Sequence, residues 1–412
     1  SNQITDTAPV TEKKIVQKTV YTILFSISFA HLLNDLLQST IPSLYPLLKQ
    51  NYNLSFSQIG WITFTFQLTA SVLQPFVGNY TDRYPRPYSF AIGMCFSLLG
   101  VILLGFASGF APLLVAVGLV GIGSSIFHPE ASKVAYYASG GKRGLAQSIF
   151  QLGGNTGSAI GPLLVALIVI PNGQYHVIWF TIAALLGITV LTKIGNWYKG
   201  HLFLRAKGKI QTDEFKPVLS KKRVILSISI LLLLIFSKYF YLTSITSYFT
   251  FFLIHKFGIT VQQSQFHLFL FLISVAGGTF LGGPLGDKFG RKIIIWISIL
   301  GIAPFTLALP YMNLFWTSML SVSIGLIMAS AFSAILVYAQ ELLPGKVGMI
   351  SGLFFGFAFG IAGIGSALLG HLADVTSIDY VFKVCAYLPL LGIVAGFLPD
   401  LRGKKQKYLQ IY

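Results

Sequence analysis

Four polar side chains crowd into one otherwise apolar stretch: His31, Asn34, Asp35 and Gln38. On a helix, His31 and Asp35 stand four residues apart on one face, and Gln38 lies one turn beyond Asp35. An imidazole beside a carboxylate can take up and release protons when burial and neighbouring charge shift both groups. It can equally be a structural pair, with Asp35 neutral or bonded to His31. A second apolar stretch carries His128-Pro129-Glu130, with Lys133 one turn on. Pro129 removes the helical bond to the Ser125 carbonyl. His128 and Glu130 beside that kink could relay a proton, or Glu130 could pair with Lys133 or Arg143 and lock a gate. A third stretch, Phe236-Ser237-Lys238-Tyr239-Phe240-Tyr241, holds one cation. Lys238 could bind an anionic substrate or form a buried ion pair with Asp35, and such a pair could open when substrate binds. Tyr239, Tyr241 and Tyr248 are of a type that more often packs than ligates.

The surrounding composition explains why these groups matter. The chain has 412 residues, 54% hydrophobic and 10% charged, with mean hydropathy +0.73. Soluble domains carry roughly 25% charged residues, so this is a chain for lipid. Twelve apolar stretches of about 20 residues or more can be marked. They fall near 20–48, 56–80, 88–107, 110–137, 144–169, 176–198, 224–254, 262–286, 292–310, 313–341, 347–373 and 380–399. The expected organisation is an all-α membrane protein of two pseudo-symmetric six-helix bundles, 20–198 and 224–399. A tail at 1–19, a linker at 199–223 and a tail at 400–412 complete it. The first nineteen residues are polar and the first apolar run continues as a full span, so no cleavable signal peptide is apparent.

Charge gives the orientation. Placing the N-terminus in the cytoplasm puts 25 of the 29 Lys and Arg on the inner side, leaving only Lys49, Lys238, Lys256 and Lys383 elsewhere; both termini are then cytoplasmic. The net charge of +17 therefore reads as a topology signal, with no nucleic-acid module in view. Cys95 and Cys385 fall in opposite halves, which argues against a disulfide or metal site. No G-x-x-x-x-G-K-[ST] loop is present, and the linker is too short for a nucleotide domain. At the helical rise, Asp35 lies roughly 20 Å from Tyr21, Lys238 roughly 21 Å from Val224 and His128 roughly 15 Å from the inner end, all near mid-membrane.

Two charged loops repeat each other. Gly78-Asn79-Tyr80-Thr81-Asp82-Arg83-Tyr84-Pro85-Arg86 returns in outline as Gly283-Pro284-Leu285-Gly286-Asp287-Lys288-Phe289-Gly290-Arg291, 205 residues later. Gly144-Leu145-Ala146 aligns more loosely with Gly348-Met349-Ile350. A repeat of half the chain length in a membrane protein marks a transporter with its site between the halves. The same offset sets Lys238 opposite position 33, beside His31 and Asp35. An Asp near Arg and a helix N-terminus makes a charge-assisted clasp, so Asp82, Arg83, Arg86, Asp287, Lys288 and Arg291 are candidate gate residues. Gln147, Gln151 and Asn155 form a polar stripe at four-residue spacing; Gln67 and Gln74 form another. The candidate substrate set is His31, Asp35, Gln38, Lys238, Tyr241 and Asn155, and the candidate proton-coupling set is Asp35, His128 and Glu130. Gly153, Gly157 and Gly161 share a face ahead of Pro162, suited to close packing or a flexing gate helix. His267, His371, Asp374 and Glu341 read as structural.

These motifs resemble those of the major facilitator superfamily. The twin loops are similar to its signatures between spans 2 and 3 and between spans 8 and 9, and the likeness covers the whole chain. His31-Leu32-Leu33-Asn34-Asp35, Ser125-Ile126-Phe127-His128-Pro129-Glu130-Ala131-Ser132 and Tyr338-Ala339-Gln340-Glu341-Leu342-Leu343-Pro344-Gly345-Lys346 resemble its fosmidomycin-resistance branch. The resemblance implies a monomeric multi-pass exporter of the bacterial inner membrane, not an enzyme and without cofactor. It would exchange a small anionic drug such as fosmidomycin for protons by alternating access. Val117 stands where many drug/proton antiporters carry Arg, and Val165 and Ala166 stand where the antiporter signature has glycines. Proton coupling would then fall to His128 with Glu130 or Asp35. Import or exchange of a physiological organic anion is the alternative.

Overall fold

The computed structural model describes residues 16–54, 56–210, 219–259 and 261–401. The expected tails at 1–15 and 402–412, and 211–218 of the expected linker, lie outside them. Among the described residues the main helices fall into twelve stretches, with a short extra helix at Tyr45–Tyr52. In the N-terminal half they are α1 (Tyr21–Ser43), α2 (Phe56–Ser71 and Leu73–Arg83), α3 (Ser89–Phe106), α4 (Phe110–Ala138), α5 (Arg143–Leu164) and α6 (Gln174–Phe180 and Thr181–Ala206). In the C-terminal half they are α7 (Lys221–Phe257), α8 (Val261–Phe289), α9 (Arg291–Ile299, continued by Ala303–Ala308), α10 (Leu314–Met328 and Ala331–Leu342), α11 (Val347–Val375) and α12 (Ile378–Cys385 and Leu388–Phe397).

Nine stretches among the described residues are long and apolar enough to cross a membrane. The three that fall short are α1, α2 and α5. They carry the polar positions singled out above: His31 to Gln38, Gln67 and Gln74, and the stripe Gln147, Gln151, Asn155. Polar groups on these helices face the protein interior, so lipid exposure is not what sets their composition. The apolar run expected at 20–48 divides at Ser43 into α1 and a short helix, Tyr45–Tyr52. Helix α6 runs eight residues past its expected end at 198, with His201 stacked between Tyr137 and Trp197. Within the N-terminal half, α1 and α5 pack backbone to backbone: a Cβ on Gly153, Gly157 or Gly161 would collide with Ser28, Leu32 or Ser39.

The halves meet along a seam at the basic end of the bundle, and the repeated loops build it. Asp82, closing α2, accepts hydrogen bonds from Gly348 N and Met349 N at 2.9 Å each, in the first turn of α11. Asp287, closing α8, accepts from Gly144 N and Leu145 N at 3.0 Å each, in the first turn of α5. Each carboxylate thus caps a helix of the opposite half, satisfying two orphan N–H groups and meeting the positive end of that helix dipole. The backbones can come this close because Gly78 lies against Gly348 and Gly144 against Gly283; a Cβ on Gly78, Gly144 or Gly283 would strike the main chain opposite, and one on Gly348 would strike Asp82 and Lys133.

Bases complete both latches, a buried lysine in one and half-buried arginines in the other. Lys133 Nζ lies 3.1 Å from Asp82 Oδ1 and 2.9 Å from Glu130 Oε1. Thr81 and Ser89 hydroxyls also donate to Glu130. Arg291 binds Asp287 at 2.6 Å and Glu341 at 3.2 Å, and Arg143 reaches Glu341 at 3.6 Å. Three expected gate residues are therefore corrected. Arg83, Arg86 and Lys288 are exposed and touch neither aspartate; Arg86 reaches only the Tyr80 hydroxyl at 3.4 Å, and Lys288 lies over the Phe289 ring. Glu130 is corrected too. Pro129 separates it from His128 in sequence, and two residues on a helix point to different faces, so its carboxylate serves the latch. Above the latches, Gln340 Nε2 donates to Ser132 and Ser351, knitting α4, α10 and α11.

Two expectations follow. With Cys95 and Cys385 replaced by Ala and a single cysteine at the fully buried Ser351, Asp82→Asn should raise the rate of thiol modification from the basic end. The expected factor is on the order of thirtyfold, from about 2 kcal/mol of lost charged hydrogen bonding; Arg83→Ala and Arg86→Ala should leave the rate unchanged. Gly283→Leu should speed the same modification by wedging the seam, whereas Gly200→Leu, with open space around it, should not.

Candidate central cavity

Above the seam, α1, α5, α7, α8, α10 and α11 surround a cavity of about 150 Å³. His31, Asp35, Gln151 and Asn155 line it from the N-terminal half, and Lys238, Tyr239 and Thr279 from the C-terminal half. Phe332, Phe355 and Phe359 supply its apolar wall.

At one side lies a triad. Asp35 Oδ2 is 3.3 Å from His31 Nε2, and Asp35 Oδ1 is 3.3 Å from His128 Nε2. Asn34 Nδ2 and Gln38 Nε2 add donors to Oδ1 at 3.1 and 3.4 Å. The imidazoles are fixed from behind: His31 Nδ1 by the Phe150 carbonyl at 2.7 Å, His128 Nδ1 by Ser124. Phe150 stacks on His31 at 4.0 Å, while Phe355 and Phe359 of α11 cover His128 at 5.2 and 5.1 Å. Gly154 makes the assembly possible, since a Cβ there would meet the His31 ring and Asp35. Among the described residues this is the one group with metal-ligand spacing. The carboxylate is already shared between two imidazoles, one nitrogen of each lying 3.3 Å from one of its oxygens.

Across the cavity stands Lys238, 7% exposed. Its ammonium lies 5.1 Å from the Tyr239 ring centre and 5.3 Å from that of Phe332. No carboxylate pairs with it among the described residues. The ion pair with Asp35 left open by the sequence is thus not formed: the triad has taken both carboxylate oxygens. What remains is a buried cation held by aromatic faces and the cavity, suited to a ligand anion.

The other expected site residues divide. Asn155 is in the cavity, and its amide donates to Thr279 Oγ1 at 2.9 Å across the two halves. Gln38 touches the triad without lining the cavity. Tyr241 is corrected: it lies 1% exposed in the apolar core of the C-terminal half, packed with Ile245, Phe249 and Phe382. Helical geometry turns Tyr241 about 200° from Tyr239, so only one of the two can face the cavity. Gln147 sits lower, bonded to Ser132. His267 bonds Ser318, and His371 and Asp374 are exposed. Thr279, Tyr239 and the phenylalanines were not singled out as site residues. The repeat could have found Thr279, which the 205-residue offset sets opposite Gln74.

Comparison with known proteins agrees with this architecture. The sequence pattern of the Major Facilitator Superfamily matches residues 27–364 and 231–409. The fosmidomycin resistance protein of Escherichia coli K12 is 59% identical over 387 residues, 94% of this chain and 95% of that one. An uncharacterized MFS-type transporter of Bacillus subtilis 168 is 44% identical over 95% of this chain and 97% of its own. The transporter FucP in its outward conformation superposes with a TM-score of 0.70 at 15% identity, over 92% of this chain and 98% of FucP. The human organic anion transporter MFSD10 does so with 0.71 at 16% identity, over 93% and 100%. A membrane protein of two six-helix bundles, latched at one end by repeated Asp loops around a central polar cavity, this chain belongs to the major facilitator superfamily of transporters.

Proposed function

We propose that the chain exports a small anionic drug of the fosmidomycin kind in exchange for protons, with its basic end and both termini in the cytoplasm of a bacterial inner membrane. The carrying observation is the pair of opposite sites in one cavity: an ammonium on α7 with no carboxylate partner among the described residues, and a carboxylate shared by two histidines across α1 and α4. Each half-transporter thus contributes one charge centre, as the basis for a single monomer to hold one substrate. The near identity in length and the 59% identity to the E. coli resistance protein support the substrate class.

The cycle follows from differential affinity. With the latches closed, the cavity is shut off toward the basic end. An anion on Lys238 neutralises a buried cation that no carboxylate pairs with among the described residues, and proton gain at the triad adds positive charge at the other side of the same cavity. Proton and anion therefore alter each other's binding, and each must favour one closure of the seam over the other. Lys238 orients the anionic group, Tyr239 and Phe332 shield it from water, and Asn155 with Thr279 ties the halves while the cavity is closed toward the basic end. Glu130 acts in the latch by holding Lys133.

Expression in a drug-sensitive bacterium tests the site. Lys238→Ala and Asp35→Asn should each abolish resistance to fosmidomycin with the protein still in the membrane, and Tyr241→Phe should retain it. Full resistance in both charge variants would refute the cavity assignment. In proteoliposomes, imposed proton gradients of either sign should drive drug movement in opposite directions; movement indifferent to the gradient would refute exchange.

A further inference from the structure

We infer that His31, Asp35 and His128 form a binding site for one divalent transition-metal ion of the zinc class, open to the central cavity. Metal binding at these three groups does not depend on the exchange reading proposed above.

Two imidazoles and a carboxylate suit Zn²⁺ and Co²⁺, and are a poor cage for Mg²⁺ or Ca²⁺, which take oxygen ligands. Three protein ligands with a fourth position left free is the pattern of a zinc site that accepts a further ligand. Here His31 Nε2 lies 3.3 Å from Asp35 Oδ2, and His128 Nε2 lies 3.3 Å from Asp35 Oδ1. Around a tetrahedral ion with bonds of about 2.0–2.1 Å, neighbouring ligand atoms stand roughly 3.3–3.5 Å apart. Both contacts already have that spacing. The ligand atoms of all three residues lie within 4.8 Å of one another, so closing the third edge takes at most about 1.5 Å of ring movement.

The far sides of the ligands are held as a metal site needs. A ligating histidine turns its other ring nitrogen to a carbonyl, carboxylate or water, which fixes the ring. His31 Nδ1 meets the Phe150 carbonyl at 2.7 Å, and His128 Nδ1 lies 3.0 Å from the Ser124 carbonyl. Each imidazole therefore presents Nε2 to the same carboxylate. The amides of Asn34 and Gln38, 3.1 and 3.4 Å from Oδ1, steady that carboxylate in turn. His128 Nε2 is the telling atom. It is buried and has no hydrogen-bond partner among the described residues, although a carboxylate oxygen is 3.3 Å away. A buried polar atom left in that condition is costly. An ion coordinated by it and by Asp35 satisfies both.

Access and charge fit the same ion. His31 and Asp35 line the cavity, whereas His128 lies behind them under Phe355 and Phe359. An ion therefore enters from the cavity and keeps its free position on that side. The Asp35 carboxylate offsets one of its two charges. Glu130, the acid on the helix of His128, is occupied with Lys133. Lys238 stands across the cavity, and Asp35 is the only carboxylate among the lining residues. Ion and ammonium together would face a space suited to an anion, which takes the fourth position in place of water.

Metal titration of the full-length protein tests the site. Tag-free protein in lipid nanodiscs, stripped with a chelator, is titrated with Co²⁺ at one fixed neutral pH. The wild type should take up one Co²⁺ per chain, with the strong visible absorption of a four-coordinate ion. Zn²⁺ should displace it one for one, and Mg²⁺ should not. His31→Ala, His128→Ala and Asp35→Asn should each weaken binding on the order of a hundredfold. His176→Ala and His371→Ala, outside the cavity lining, should leave it unchanged. X-ray absorption at the zinc edge of the loaded wild type should show two imidazole nitrogens and a carboxylate oxygen at about 2.0–2.2 Å. That measurement needs no variant, so it decides the matter even where a ligand substitution prevents folding. No stoichiometric ion, an all-oxygen or six-coordinate shell, or undiminished binding by a folded His128→Ala protein overturns the inference. None of these readouts is transport, so a failure of drug–proton exchange in proteoliposomes leaves the metal result standing, and the reverse holds too.

Discussion

Two carboxylates cap helices that belong to the other half of the molecule, and the closed seam depends on them. A helix N-terminus leaves its first N–H groups without internal partners, and burying them unpaired is costly. Asp82 and Asp287 meet that need for α11 and α5 only while the halves are together. Their own charges, in turn, are offset by Lys133 and Arg291. Opening the basic end leaves four main-chain donors and two carboxylates to water, which can accept them. The interaction is therefore strong enough to define a state and replaceable enough to be given up, which a permanent apolar interface would not be.

The cavity inherits its properties from this closure. The same helices that make the seam, α5, α8 and α11, run upward to line it, so a change in seam geometry moves Asn155, Thr279, Phe355 and Phe359. Covering His128 with two rings from the opposite half means that the triad is enclosed in this arrangement and would lose that cover if α11 swung away. Lys238 sits on the far side with aromatic neighbours and no counter-ion among the described residues. Charge compensation inside the cavity is thus incomplete among the described residues, and an anion beside Lys238 would complete it.

Much of this was legible in the sequence because depth along a helix is a simple count. A rise of about 1.5 Å per residue placed Asp35, His128 and Lys238 at one level, and the structure gathers them around one site. The repeated loops announced the latches, and the looser match of Gly144 with Gly348 marked the two helix starts that they cap. What a count does not give is which way a side chain faces across a helix–helix contact. Hence the pairing of Asp35 with two histidines instead of Lys238, the placement of Tyr241 in the core and Tyr239 in the cavity, and the diversion of Glu130 to Lys133. Loop bases misled for a further reason: Arg83, Arg86 and Lys288 share the motif with Asp82 and Asp287, but long side chains at a water boundary gain little from burial. Arg291 does bind Asp287 as its place in the loop suggested, but the base that meets Asp82 is Lys133, and Glu341 joins Arg291, both from far along the chain.

The latches are related by the repeat yet differ in wetness. Lys133 and Glu130 are each 1% exposed, whereas Arg291, Arg143 and Glu341 are 11–16% exposed. Dissolved ions and solvent reach the second set and compete for it, while the first is insulated from them. The seam therefore has a wetter edge at α5–α8 and a drier one at α2–α11, and added salt should weaken the first before the second.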